Sequence, residues 1–204
     1  IATVITIVAG VIVAYATRTS RAGSAASAFV RIASLGYAVP GTVLAIGLLP
    51  IVTGIEAGVD RATRNLLGFS SGLVLLGTGA AIVYAYVARF LAIAAGGIEA
   101  GFSRISPSLD DAARTLGHAA TGRLWRIHLP LAPPALATAA MLVFVDCMKE
   151  LPATLLLRPL GFETLATHLY GEAARDTYED AAVAALLIVL AGLLPVVVLA
   201  RLRT

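Results

Sequence analysis

Apolar residues run along this chain in blocks longer than a soluble helix needs, and the charges fall between the blocks. No charged residue stands between Arg31 and Glu56, and none between Arg64 and Arg89. Each gap exceeds the roughly 20 residues that carry a helix across about 30 Å of hydrocarbon. An apolar run opens the chain, another surrounds 131–145 and extends into a few charged positions, and a third fills 181–200. The pattern predicts five membrane spans: A at 1–17, B at 36–55, C at 70–94, D at 132–152 and E at 180–200. Span B carries Pro40-Gly41 near its start and Pro50 near its end. In span C, Gly72, Gly77, Gly79, Ala80 and Ala81 are small enough to let helices pack closely.

Composition agrees with that class. The chain is 59% hydrophobic and 13% charged, against about 25% charged in soluble domains, so an integral membrane protein is expected. No basic residue precedes the opening apolar run, so it does not read as a secretory signal. It reads as a chain cut inside or just before a helix. One cysteine, Cys147, excludes an intrachain disulfide framework. The pI near 9.4 does not imply a nucleic-acid partner, because the arginines are dispersed over the loops instead of gathered in a patch. Their sides are informative. Arg18, Arg21, Arg31, Arg104, Arg114, Arg123, Arg126, Arg201 and Arg203 fall on one side, and Arg61, Arg64, Arg158 and Arg175 on the other. The richer side is expected to be cytoplasmic, which puts the long central loop and the C-terminus inside.

That central loop, 104–130, has helix signals of its own. Ser106-Pro107 offers an N-cap with proline at the first helical position, and Ser108 with Asp111 offers a capping box as an alternative. Asp110 and Asp111 then fall in the first turn, where the helix dipole favours carboxylates. Leu109, Ala112, Ala113 and Leu116 recur at helical spacing as one small apolar face. Gly117 breaks the run, a second helical stretch follows through Leu124–Ile127, and Pro130, Pro133 and Pro134 redirect the chain. The prediction is a compact knob of two short helices. On these features alone, an amphipathic hairpin lying on lipid headgroups and a protein-docking element fit equally well.

Residues 109–130, "LDDAARTLGHAATGRLWRIHLP", also carry a spacing: Asp111-Ala112-Ala113, three residues, Gly117, nine residues, Ile127, one residue, Leu129-Pro130. This resembles the EAA–G–I-LP loop of ABC importer permeases, with Asp111 where that family usually has Glu. The segments "YAVPGTVLAIGLL" (37–49) and "KELPATLLLRPLGFETLAT" (149–167) resemble ferric-iron importer permeases. The resemblance implies an all-α polytopic bundle over 1–204, the C-terminal half of a larger permease, with 104–130 as its cytoplasmic coupling loop in the cell inner membrane. It implies iron(III) as cargo, with thiamine, polyamines or small oxyanions as alternatives. The implied partners are ATP-binding cassette ATPase subunits, a second permease half or subunit, an extracytoplasmic solute-binding protein and membrane lipid. By the same resemblance Asp111, Ala112, Ala113, Gly117, Ile127, Leu129 and Pro130 couple the chain to the ATPase. A membrane scaffold or enzyme with a lipid-resting loop is the reading from another class.

Catalysis by this chain is not expected. A P-loop needs Gly-x4-Gly-Lys-Ser/Thr, and the one lysine, Lys149, sits in "DCMKELP". No cofactor is expected on this chain, ATP and Mg belonging to the partner ATPase. Asp146, Lys149 and Glu150 share a helical face at i, i+3 and i+4. They are candidates for the translocation path or its gating, or for pairing with one another, since ionisable groups inside a span are costly. His118, His128 and His168 form no zinc motif; His118 and His128 are expected in solvent. Arg89 is expected near the inner end of span C, reaching toward headgroups. The mixed loop Arg158–Glu179 is a candidate contact for a substrate-delivering protein.

Overall fold

The computed structural model describes residues 1–20 and 35–201, which contain helices and connections and no strand among the described residues. The polar positions Arg21, Arg31 and Arg203 lie outside them. The helices are α1 (Ala2–Thr19), α2 (Gly41–Leu67), α3 (Ala80–Phe102), α4 (Pro107–Thr115), α5 (Ala120–Leu131), α6 (Pro133–Lys149), α7 (Pro152–Leu157), α8 (Leu165–Ala173) and α9 (Tyr178–Arg201). Four of them, α1, α2, α3 and α9, are long and apolar enough to cross a bilayer. A fifth crossing results if α5 and α6, which meet at 81°, are taken together. α6 alone has 17 residues and rises only about 25 Å at 1.5 Å per residue.

The chain divides into two compact units, and α3 and α6 each contribute to both. The first unit contains α1, α3 from Phe90 onward, α4, α5 and α6 as far as Phe144. Its core gathers Tyr15, Ile98, Phe102, Ile105, Ala132 and Ala139, with Ile7, Val11, Leu124, Ile127 and Leu136 packed around it. Backbones approach closely at three glycines. A Cβ on Gly10 would lie 2.8 Å from Ala94 Cβ, one on Gly97 would lie 3.3 Å from Ala139 Cβ, and one on Gly101 would run into Ala135. Gly97 and Gly101 on α3 thus face Ala139 and Ala135 on α6, two small-x-x-x-small stripes of the kind that lets membrane helices pack without large side chains. The opposite face of α1, with Val4, Val8 and Ile12, is exposed, as a lipid-facing stripe would be.

The second unit contains α2, the first part of α3, and α7 to α9. Two sequence expectations change here. Span B was expected to stop before Glu56, but α2 continues to Leu67. Span C was expected from 70, but 68–79 is a connection and α3 starts at Ala80. The charges explain both. Glu56 is buried and accepts the backbone N–H groups of Leu75 (2.6 Å) and Leu76 (2.8 Å), while Asp60 accepts from Ser71 N–H (3.1 Å) and pairs with Arg64 (2.8 Å). Two carboxylates one turn apart on α2 satisfy the backbone of a segment that lacks helical bonds of its own. Gly68 and Gly72 take positive φ of 75° and 66° there, which glycine adopts without steric cost. Gly72 and Gly77 therefore serve a turn, not helix packing.

Candidate functional site

The knob forms as its local chemistry dictates. Ser106 caps α4, its hydroxyl accepting from Ser108 N–H at 3.3 Å, with Pro107 at the first helical position. The alternative cap at Ser108 is not used. Gly117 stops the helix with φ +81°, and His118 N–H reaches back to Ala113 O at 2.9 Å. Within α5 the backbone widens into a π-helical turn over Leu124–His128, and Pro133 opens the 81° bend into α6.

Which side of α4 faces inward was not what apolar spacing suggested. Ala113 is buried, whereas Leu109, Ala112 and Leu116 are exposed. The inward side is Asp110 and Ala113, three residues apart. Asp111 points away at 70% exposure, with Arg114 Nη1 3.6 Å from it. Leu109, Asp111, Ala112 and Leu116 thus stay open on the outer side of α4, and Trp125 on α5 is also exposed. Ile127 packs on the core, Leu129 is half-buried and Pro130 is exposed.

The inward side holds a polar cluster that sequence reading missed. Asp110 Oδ2 accepts from Arg18 Nε (3.1 Å) and Nη2 (2.9 Å), and its Oδ1 lies 2.9 Å from His128 Nε2 and 4.0 Å from Arg123 Nε. Arg18 also donates to the carbonyls of Phe102 and Ile105 at the end of α3. His128 is fully buried between the rings of Tyr15 and Phe102, each 5.2 Å from its centroid. Tyr15 Oη donates to Ala120 O at 2.7 Å. Burial pushes the Asp110 carboxyl up, but the bonds from His128 and Arg18 outweigh it and hold the group below its ordinary range. An ionised carboxylate only accepts, so the His128 nitrogen facing it carries a proton. The solvated position expected for His128 is thereby corrected; His118 is half-buried.

Asp146, Lys149 and Glu150 do not act as one cluster. Lys149 pairs with Asp146 at 2.7 Å. α6 ends at Lys149, so Glu150 leaves the shared helical face and turns to Arg89 Nε, 3.3 Å away in the interior of the second unit. Glu150 Oε1 also accepts from Ala153 N–H at 3.2 Å. Gly41 lies close against this pair: a Cβ there would meet the Arg89 guanidinium and lie 2.6 Å from Glu150 Oε1, so either side-chain end would have to shift. Arg89, expected to reach headgroups, is instead largely buried. In the loop after α7, Glu163 lies near Arg158 and near His168 of α8, and Thr164 and Thr167 close a capping box on α8. Among the described residues, no group of three or more His, Cys, Asp or Glu is placed to hold a metal ion.

Comparison with known proteins adds the context. Residues 6–203 match the family described as binding-protein-dependent transport system inner membrane component. The Fe(3+)-transport system permease protein FbpB 2 of Haemophilus influenzae is 29% identical over 171 residues, 84% of this chain and 31% of that protein. The putative 2-aminoethylphosphonate transport system permease protein PhnV of Salmonella typhimurium is 30% identical over 137 residues, 67% of this chain and 52% of that protein. The chain therefore spans between about a third and a half of these relatives. A crystal structure of a bacterial alginate ABC transporter, in complex with alginate pentasaccharide-bound periplasmic protein, superposes with a TM-score of 0.71 at 13% identity, covering 97% of this chain and 73% of that one. That likeness shows the fold.

Proposed function

This chain belongs to the family of binding-protein-dependent transport system inner membrane components, and from that membership we propose that it is a permease subunit of an ATP-driven importer. Its knob, 104–130, docks on a separate ATPase at the cytoplasmic side, and its spans line part of the path for cargo handed over by an extracytoplasmic binding protein. The observation that carries this reading is the outer face of α4. Leu109, Asp111, Ala112 and Leu116 stay open on a short helix whose other side is tied to the membrane helices, and the spacing from Asp111 to Pro130 is that of the family's coupling loop. Small and apolar groups with one carboxylate suit close seating in a protein groove.

Iron(III) is the cargo we infer first, supported by ferric permeases among the relatives. A phosphonate is the second reading, supported by the PhnV likeness at comparable identity. Ala112→Glu tests the docking face, because Ala112 is exposed and the change disturbs no packing inside the chain. The variant is expected to insert normally, to lose copurification with the ATPase subunit, and to lose ATP-dependent uptake of binding-protein-delivered 55Fe(III). Normal copurification and uptake would reject the docking assignment. Uptake of labelled 2-aminoethylphosphonate in place of iron by the unsubstituted transporter would select the second cargo.

A further inference from the structure

Only Ala113 of the nine-residue α4 is buried. Apolar packing at one alanine is too little to hold a helix against a load, so what holds α4 is the chemistry around Asp110. That chemistry leads to one place. Arg18 and Tyr15 stand three residues apart on the last turns of α1, on one face. Arg18 grips α4 through Asp110 and the end of α3 through two carbonyls. Tyr15 grips the start of α5 through Ala120 O and flanks the buried His128, whose imidazole bonds the other oxygen of Asp110. Both helices of the knob are thus fastened to the same turns of a membrane helix.

We propose that Asp110 and Arg18 are positioning residues that make α1 and the knob move as one piece, so that force on the outer face of α4 reaches a membrane helix instead of merely rotating α4. The proposal rests on the reading of the knob as the ATPase-docking element. A charge-assisted contact suits this task better than apolar packing. It is directional, and Arg18 spends its donors on α4 and on two carbonyls at the end of α3 at once.

The test uses the complete importer in lipid nanodiscs, in a Cys147→Ser background, with spin labels at Val4→Cys on α1 and Thr115→Cys on α4, both exposed positions. In the otherwise unsubstituted chain the label-to-label distance is expected to be one narrow distribution, the same without nucleotide and with ATP. Asp110→Asn and Arg18→Gln are expected to keep ATPase binding and basal MgATP hydrolysis within about twofold, yet to shift or broaden that distance with ATP. They should also lower 55Fe(III) or phosphonate imported per ATP by about tenfold, as buried coupled pairs do. The double variant is expected to be no worse than either single one. Arg18→Lys keeps the charge and the fold but cannot reach Asp110 and both carbonyls together, so it should shift the distance as well. An unchanged narrow distance and unchanged import per ATP in folded Asp110→Asn and Arg18→Lys would overturn the proposal. Failure of the unsubstituted chain to bind the ATPase at all would instead remove the docking reading, and the proposal with it.

Discussion

Asp110 and Asp111 are adjacent, identical and opposite in fate: one has 15% of its side chain exposed among Arg18, Arg123 and His128, the other 70%. Their substitutions should separate accordingly. The Asp110 carboxyl is held below its ordinary range, so it contributes stability above its unfolded value of about 4. That contribution is lost as pH falls through the lower folded value. Asp110→Asn is therefore expected to cost about 3 kcal/mol or more at pH 7, where it leaves Arg18 buried without its counter-charge. The gap to the unsubstituted protein should close as pH falls below about 4. Thermal unfolding in detergent between pH 7 and 3 measures this; a gap that stays constant with pH would refute it. Asp111→Asn should move the midpoint by no more than about 2 °C, since its ion pair with Arg114 is exposed.

At the scale of elements, the association of α3 with α6 rests on small residues meeting face to face. Gly101→Leu drives a side chain into Ala135 and should destabilise by about 1–3 kcal/mol or more, read as a lower midpoint and poorer yield of folded protein. Gly96→Ala, with open space where its methyl would go, should be neutral or slightly stabilising, given the cost of glycine in helices of up to about 1 kcal/mol. This contrast also marks what the sequence discloses. Gly97 and Gly101 flank Glu99 and meet α6 more than 30 residues away, while the charge-free run 65–88 supported a span expected from 70. Absence of charge shows where lipid is tolerated; it does not show where backbone bonds close into a helix. The carboxylates of Glu56 and Asp60 decide that from outside the run. The knob's caps, glycine bend and proline turn were legible because each depends on neighbours a few residues away. The Arg18 contact was not, with 92 positions between its partners, nor was the choice of Glu150 for Arg89 over Lys149.

At the scale of the whole molecule, the arginine distribution predicts that the knob faces the cytoplasm. Thr115→Cys in a Cys147→Ser background should react with a membrane-impermeant maleimide in inside-out vesicles and not in right-side-out ones. The reverse labelling would invert the orientation and remove the ATPase from reach. The division into two units carries a further consequence, in the order of synthesis. Each unit is built from separated stretches of chain, so neither can be completed before the other has begun. α2, which ends at residue 67, packs against α7, which begins at 152; at about 5–20 residues per second the ribosome needs about 4 to 17 seconds to cover that interval. Glu56 has its partners, Leu75 and Leu76 N–H, within 20 residues, but during this time the face of α2 that packs on α7 waits for a helix not yet made. The unit is thus half-built for that interval, and a slow codon cluster between the two helices would lengthen the wait without altering a single residue.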